Sequence, residues 1–309
     1  MKNLYKKYFE RLTPVELVDG LYFKREDKFM PLEGSSANGS KLRQLIWLFK
    51  RAKEAGYTGV VAGAVSQSPQ HPMVAAVARL HDMACTLIVG TRKIDEHPML
   101  KLAKGYGAQF CYSPVGYAQT LQARAVRFAK DWPERFVVET NITMENKFNS
   151  VDDIRAFHAI GAKQVQNIPD DVDTLILPAG SCNSAVSVLY GIYLYRKKIK
   201  GIYLMGIGSY GSKDIEYAIR RLALISAEAA AMFSSINMPR AGKITLYYHN
   251  LNGIGFCKYT DLMPCNYGGI ELHPRYEGKV MNYIIQKGML DHFKKQKALF
   301  WNVGSEPKF

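Results

Sequence analysis

The sequence predicts an α/β fold in which parallel sheets are flanked by helices. Three observations carry that expectation. Short apolar runs rich in β-branched residues recur along the chain, amphipathic helical patterns separate them, and 309 residues are enough to cover both faces of a sheet. Strands buried on both faces read as continuous apolar runs because neither face meets water.

The elements follow in order. A strand-like LYFKREDKF (21–29) runs into a small-residue loop, GSSANGS (34–40), and a helical stretch, KLRQLIWLFKRAKEAG (41–56). GVVAGAV (59–65) precedes the helix VAAVARLHDM (74–83), CTLIVG (85–90) precedes HPMLKLAKGYG (97–107), and AQFCYS (108–113) precedes a helix in 118–132. The polar, weakly patterned TNITMENKFNSVDD (140–153) marks a domain crossover. Beyond it come DTLILPAG (173–180), a helix through 185–198, a strand in IKGIYLMGIG (199–208), one long helix through 215–233, and a last strand, ALFWNVG (298–304).

Bulk properties exclude several classes. No stretch of about twenty uncharged apolar residues exists, so nothing is expected to span a membrane. The charged N-terminus MKNLYKKYFERL is not a secretory signal. Five cysteines without a CxxC pair point to reduced thiols in a cytoplasm, not to a metal site. The outlier is a net charge of +14. Basic runs at Lys2, Lys6 and Lys7, at Arg196, Lys197, Lys198 and Lys200, and at Lys294, Lys295 and Lys297 make a polyanion such as DNA an expected partner.

Four segments carry chemistry. Lys41 follows a glycine-rich loop at a strand-to-helix junction, where a desolvated amine can condense with a carbonyl; alone, a first-turn surface lysine reads as well. LPAGSCNSAVSVLYG (177–191) is a strand end, a loop of small residues (Gly180, Ser181, Cys182, Asn183, Ser184) and a helix, whose free amides suit a phosphate. In AGAVSQSPQHPMVAAVARL (62–80), Ser66, Gln67, Ser68, Gln70 and His71 crowd a helix entry that could grip a substrate carboxylate, or Ser68 simply caps the helix with Pro69 at its first position. In ELHPRYEGKVMNYIIQKG (271–288), Tyr276 and Glu277 open a helix. Glu277 either faces a pyridine nitrogen and keeps it protonated or only serves the helix dipole.

Together these segments resemble the fold-type II pyridoxal-phosphate enzymes of the tryptophan synthase β family, in particular the 1-aminocyclopropane-1-carboxylate deaminase and D-cysteine desulfhydrase branch. The resemblance covers nearly the whole chain. KRED followed by GSKLRQL resembles the branch's KRED and GNKxRKL, SQSPQH its QSNxT loop, and AGSCNSA a GSGGT-type phosphate loop. HPRYEGK is similar to Asp-Pro-x-Tyr-Glu-Gly-Lys, and FWNVGSEP to FxHTGGxP. The resemblance implies pyridoxal 5'-phosphate as cofactor, Lys41 as its Schiff-base lysine, and Ser40, Gly180–Ser184, Glu277 and Asn302 around it. It implies Ser68 and Tyr276 as acid/base partners, Ser66, Gln67, Ser68, Gln70, His71 and Tyr276 toward substrate, and a homodimer. It also implies two domains: a large one from 1–54 and 151–309, and a smaller inserted one at 55–150.

The departures point to a rebuilt substrate pocket. Ser40 stands for an asparagine, Pro69 for a residue of the carboxylate loop, Ile254 for a second active-site tyrosine, and Asn302 and Val303 for His and Thr. Elimination, ring opening with deamination, and decarboxylation at an amino-acid α-carbon all stay open. Some bacteriophages build amino-acid adducts on thymine and trim them with pyridoxal-phosphate enzymes, and the positive charge is compatible with an aminoacyl substrate on DNA in a host cytoplasm. The alternatives are a free small amino acid as substrate, or a catalytically retired member that binds nucleic acid.

Overall fold

The computed structural model describes residues 2–32, 35–142, 144, 147–207, 215–235 and 242–307. Gly34 of the loop before Lys41, Gly208, and Thr143, Glu145 and Asn146 of the expected crossover lie outside them. In chain order the elements are α1 (Lys2–Glu10), β1 (Val15–Val18), β2 (Leu21–Arg25), α2 (Ser40–Glu54), β3 (Gly59–Gly63), α3 (Gln70–Leu80), β4 (Ala84–Val89), α4 (Pro98–Gly105), β5 (Gln109–Tyr112), α5 (Ala118–Asp131), β6 (Arg135–Val138) and α6 (Val151–Ala162). There follow β7 (Thr174–Ala179), α7 (Asn183–Leu194), β8 (Gly201–Gly206), α8 (Ile215–Ile225), α9 (Ala227–Ala230), β9 (Phe233–Ser235), β10 (Ile244–Asn250), β11 (Cys265–Tyr267), β12 (Ile270–Leu272), α10 (Glu277–Gln286), α11 (Leu290–Lys295) and β13 (Leu299–Asn302).

The chain divides into two compact units, Met1–Phe29 with Asn149–Glu306 and Met30–Phe148 with Pro307–Phe309. The boundary expected after residue 54 therefore falls at 29–30. The cause is α2, which buries Leu42, Leu45, Ile46, Leu48 and Phe49 and packs on α3, so the helix that carries Lys41 belongs to the smaller unit.

The larger unit holds a seven-stranded sheet in the order β1-β2-β13-β7-β8-β10-β9. Only the β1–β2 pair is antiparallel. β7 is buried at every position, as its unbroken apolar sequence requires. α6 and α7 approach closely because glycine faces the contact. A Cβ on Gly191 would lie 2.4 Å from the Ala162 carbonyl oxygen, and one on Gly161 would lie 2.8 Å from Ser187 Cβ. Gly191→Ala must push the helices apart, and about 1–3 kcal/mol of stability is expected to be lost. Urea unfolding checks this: a midpoint equal to that of the parent protein would contradict so close a packing.

One expected element is corrected here, and others had not been expected. The single long helix through 215–233 is broken at Ser226, whose backbone is extended (φ −159°, ψ 117°) and whose Oγ accepts the Ala229 N–H at 3.1 Å, capping the short α9. The chain then enters β9. The unit boundary at Phe148–Asn149 falls within the segment read as crossover, which also holds the start of α6, capped by Ser150 Oγ accepting the Asp153 N–H at 3.2 Å. β10 and the β11–β12 hairpin had no expected counterpart. That hairpin turns at Gly268 and Gly269, both at positive φ (53° and 86°), the pattern a tight two-residue turn demands.

The smaller unit carries a parallel sheet in the order β5-β4-β3-β6. The crossovers through α3 and α4 step in one direction and the crossover through α5 steps back. Right-handed connection therefore puts α5 on the opposite face of the sheet. Among the described residues no helix is long and apolar enough to cross a membrane.

Candidate active site

In the smaller unit, Lys41 is the second residue of α2, half-buried, beside half-buried Ser40. Gly39 precedes them at φ 101°, a conformation that side chains resist, and its carbonyl accepts the Leu42 N–H at 3.1 Å to start the helix. The loop before it is stapled: Ser35 Oγ and Ser36 N–H both donate to the Tyr106 hydroxyl, at 2.9 and 3.1 Å, and Ala37 N–H donates to Ser35 Oγ. Lys41 thus leaves a backbone held on both sides.

The 64–71 loop leaves the carboxyl end of β3. Ser68 Oγ accepts the Gln70 N–H at 3.3 Å just ahead of α3, whose N-cap position is taken by Pro69 rather than by the serine. Gln70 Nε2 donates to the Glu139 carbonyl at 3.1 Å. His71 is fully buried, with Nε2 shared between the Ala64 and Val65 carbonyls, each at 3.1 Å. Burial pulls its pKa down to about 4, so it is neutral and holds the loop it belongs to. Ser66 and Ser68 are half-buried and Gln67 is exposed.

In the larger unit the parallel strands end on one edge. Register aligns Arg25 of β2 with Asn302 of β13, and Ala179 of β7 with Gly206 of β8. Ligands of parallel α/β sheets bind at such carboxyl ends. The 180–184 segment follows β7 directly. Among the described residues nothing lies within 4 Å of a Cβ built on Gly180, and Cys182 takes the left-handed conformation (φ 60°, ψ 0°) that points successive amides to one side before α7. Asn183 is buried, while Ser181 and Ser184 are half-buried. Beneath α7, His158 Nδ1 lies 3.0 Å from Ser187 Oγ, which donates to the Asn183 carbonyl at 3.1 Å. Desolvation, aided by Arg221, takes the pKa of His158 to about 3.

Glu277 is fully buried as the first residue of α10, and half-buried Tyr276 caps that helix. The Tyr276 hydroxyl is 3.4 Å from that of Tyr259. Burial first, then the neighbouring phenol, hold Tyr276 well above the usual tyrosine pKa, so near neutral pH it keeps its proton. Buried Lys279 donates to the carbonyls of Lys258 and Tyr259, at 2.6 and 2.9 Å, and so fixes Tyr259 beside Tyr276.

Asn302 tests the fit of a polar cofactor. It is 0% exposed, yet neither Oδ1 nor Nδ2 has a hydrogen-bond partner among the described residues. A wholly buried amide left so costs on the order of 1–3 kcal/mol unless something polar meets it. A phosphopyridine at the same sheet edge would, and the amides of 180–184 suit its phosphate. The family described as pyridoxal-phosphate dependent enzyme matches residues 8–247.

The chain belongs to that family.

A curated relative, the O-seryl-dTMP PLP-dependent decarboxylase of Salmonella phage ViI, is 34% identical over 98% of this chain and 84% of its own length. Among solved structures, an ACC deaminase homologue superposes with a TM-score of 0.67 at 17% identity, covering 99% of this chain and 96% of its own. The processed form of threonine deaminase isoform 2 from Solanum lycopersicum gives 0.61 at 14% identity, covering 100% and 86%. These two share the fold. The chain is a pyridoxal-phosphate dependent lyase, with pyridoxal 5'-phosphate as its cofactor.

Membership of the family also sorts the motifs. The side chains of KRED are structural: Lys24 Nζ donates to the Thr13 carbonyl and to Asn167 Oδ1, at 2.8 and 2.6 Å, Thr13 Oγ1 donates to Glu26, and Arg25 bridges Glu16 and Asp27. Ile254, which the resemblance would set in place of a second tyrosine, is 57% exposed. The phenol beside Tyr276 is Tyr259, which the unpatterned KYTDLMP gave no reason to single out.

Proposed function

We propose that the chain removes the α-carboxylate from an aminoacyl group, a seryl group first of all, carried on thymine in phage DNA, and that it acts as a homodimer in the host cytoplasm. The observation that carries this reading is the 34% identity, over 98% of the chain, to a decarboxylase named for O-seryl-dTMP. The 66–71 loop supports it. Pro69 has no N–H to offer, Gln70 Nε2 is committed to Glu139, and His71 Nε2 to Ala64 and Val65. Donors that grip a carboxylate in the ground state oppose its loss, so engaging these two side chains elsewhere and placing a proline between the serine and the glutamine suits decarboxylation.

Pyridoxal phosphate supplies, when bound, a protonated ring that accepts the electron pair released at the substrate α-carbon. In this reading Lys41 Nζ tethers the cofactor between turnovers, the 180–184 amides take its phosphate, and Asn302 offers its amide to the polar rim. The Glu277 carboxylate holds the proton on the ring nitrogen. The bond from the α-carbon to the carboxylate breaks, carbon dioxide leaves, and a proton held on Lys41 Nζ or the Tyr276 hydroxyl is delivered to the α-carbon. Ser68 is the further acid/base candidate.

The test is mass analysis of an oligonucleotide bearing a seryl adduct on thymine after incubation with the holoenzyme, with free serine and D-cysteine run alongside. The expected product has lost one carbon dioxide and kept its amine. A carboxylate retained in every product, with ammonia or sulfide released from the free amino acids, would replace this reading with elimination.

A further inference from the structure

In the smaller unit α5 packs on β3, β4 and β6, and among the described residues it is the only helix on that face of the sheet. Four strands span roughly 19 Å at their usual spacing, whereas a helix with its side chains is about 10 Å wide. One helix therefore leaves a trough on each side. On the β5 side lies a cavity of about 280 Å³ walled by Tyr112, Arg124, Arg127 and Phe128, with Asp131 at its rim. On the β6 side lies one of about 400 Å³ walled by Tyr57, Lys130, Arg135, Phe136 and Lys147, with Glu139 as its acid.

The ridge between the troughs is cationic. Arg124, Arg127 and Lys130 are exposed, three residues apart, and make no ion pair among the described residues. Each step along this row rises about 4.5 Å, within reach of successive phosphates on a strand. The aromatic rings here are unusually open: Tyr112 is 41% and Trp132 51% exposed, and Trp132 stacks on Phe128 with planes 14° apart. Cations already lie over two of the rings. Arg92 is 4.5 Å from the centroid of Tyr112, and Lys147 is 4.8 Å from that of Tyr57. Arginines in a row beside exposed flat rings are the chemistry that holds single-stranded nucleic acid, phosphates on the cations and unstacked bases on the rings. A second copy of the chain is disfavoured as occupant, because a two-fold contact would set this row of cations against itself.

We infer that the α5 face, with Arg124, Arg127, Lys130, Tyr112 and Trp132 at its centre, is a docking surface for single-stranded DNA. The inference deepens the proposed function and rests on it: a thymine adduct has to leave the helical stack to be worked on, and the strand carrying it needs a grip that does not depend on base identity.

The experiment measures anisotropy of a labelled, unmodified oligothymidine titrated with holoenzyme across a salt series, for the parent chain, the triple variant Arg124→Glu/Arg127→Glu/Lys130→Glu, the milder triple glutamine variant, and Trp132→Ala. The parent is expected to bind with steep salt dependence. Both triple variants should bind at least about tenfold more weakly, with the slope of log K against log salt reduced by about two. Trp132→Ala should weaken binding with the slope unchanged. The cofactor's visible absorbance should be the same in all four proteins. Parent-like binding in the triple variants, or no binding by the parent at low salt, overturns the inference. So does a triple variant whose mass by light scattering differs from the parent's, since the face would then be a subunit contact. Arginine-dependent DNA binding without decarboxylation of the seryl oligonucleotide leaves this surface standing and removes the proposed reaction. Decarboxylation with unaltered DNA binding in the triple variants does the reverse.

Discussion

Lys41→Ala is expected to yield a folded protein that no longer shows the visible absorbance of a covalently held cofactor, with turnover down by at least about a thousandfold. The geometry argues for so large an effect. Gly39 at φ 101° and the Leu42-to-Gly39 hydrogen bond fix the start of α2, and eight consecutive buried residues from Leu42 to Phe49 lock the helix behind it. Lys41→Arg keeps the charge and most of the length but offers no nucleophilic amine, so it should fail equally. Difference spectra of the two variants with added pyridoxal phosphate, alongside far-ultraviolet circular dichroism, separate lost chemistry from lost folding. A visible band as strong in Lys41→Ala as in the parent would mean that another amine holds the cofactor.

Acidification is expected to destabilise the protein steeply between about pH 6.5 and pH 4. His71, His81 and His158 are 0%, 3% and 0% exposed. Desolvation lowers all three, to about 4, about 4 and about 3, with Lys53 adding to the effect at His81 and Arg221 at His158. Each is neutral in the folded state over a range in which the unfolded chain binds a proton. Stability is therefore full above the unfolded pKa near 6.5 and falls as pH drops toward the folded values. The slope is roughly 1.4 kcal/mol per pH unit for each histidine once the unfolded chain is protonated. Three such groups acting over two units rival the whole stability of a typical domain. Urea midpoints at pH 7, 6 and 5 check the slope, and His158→Gln should flatten it by about one third whatever it costs at pH 7. A midpoint that does not move from pH 7 to pH 5 would show these imidazoles to be solvated.

The α/β class was legible because β3, β4, β7 and β8 are buried on both faces and leave unbroken apolar words in the sequence. The loop residues were legible because glycine and serine at a strand-to-helix junction have few other uses, and Gly39 and Cys182 do adopt the special backbone such loops need. β10 was not legible. Its ITLYYHN alternates buried Ile244 and Leu246 with half-buried neighbours, a weak signal in a sheet that otherwise speaks in full apolar runs. The break at Ser226 was hidden by the alanines around it, which favour helix and mask a cap. The domain boundary could not be read from the helical pattern of α2, since an amphipathic helix announces that it packs without saying on what. Tyr259 escaped for a similar reason: its place is set by Lys279, twenty residues later in sequence, through a carbonyl rather than through any pattern.

One strand has a consequence for how the protein is made. β13, from residues 299–302, is hydrogen-bonded between β2 and β7 inside the large sheet. A ribosome delivers β2, ending at Arg25, well over two hundred residues before β13, which begins at Leu299, whereas every strand of the sheet within 30–148 is translated in one continuous stretch. The nascent chain should therefore fold its middle first and keep β1, β2 and β7 waiting, with apolar edges open to chaperones, until synthesis is nearly finished.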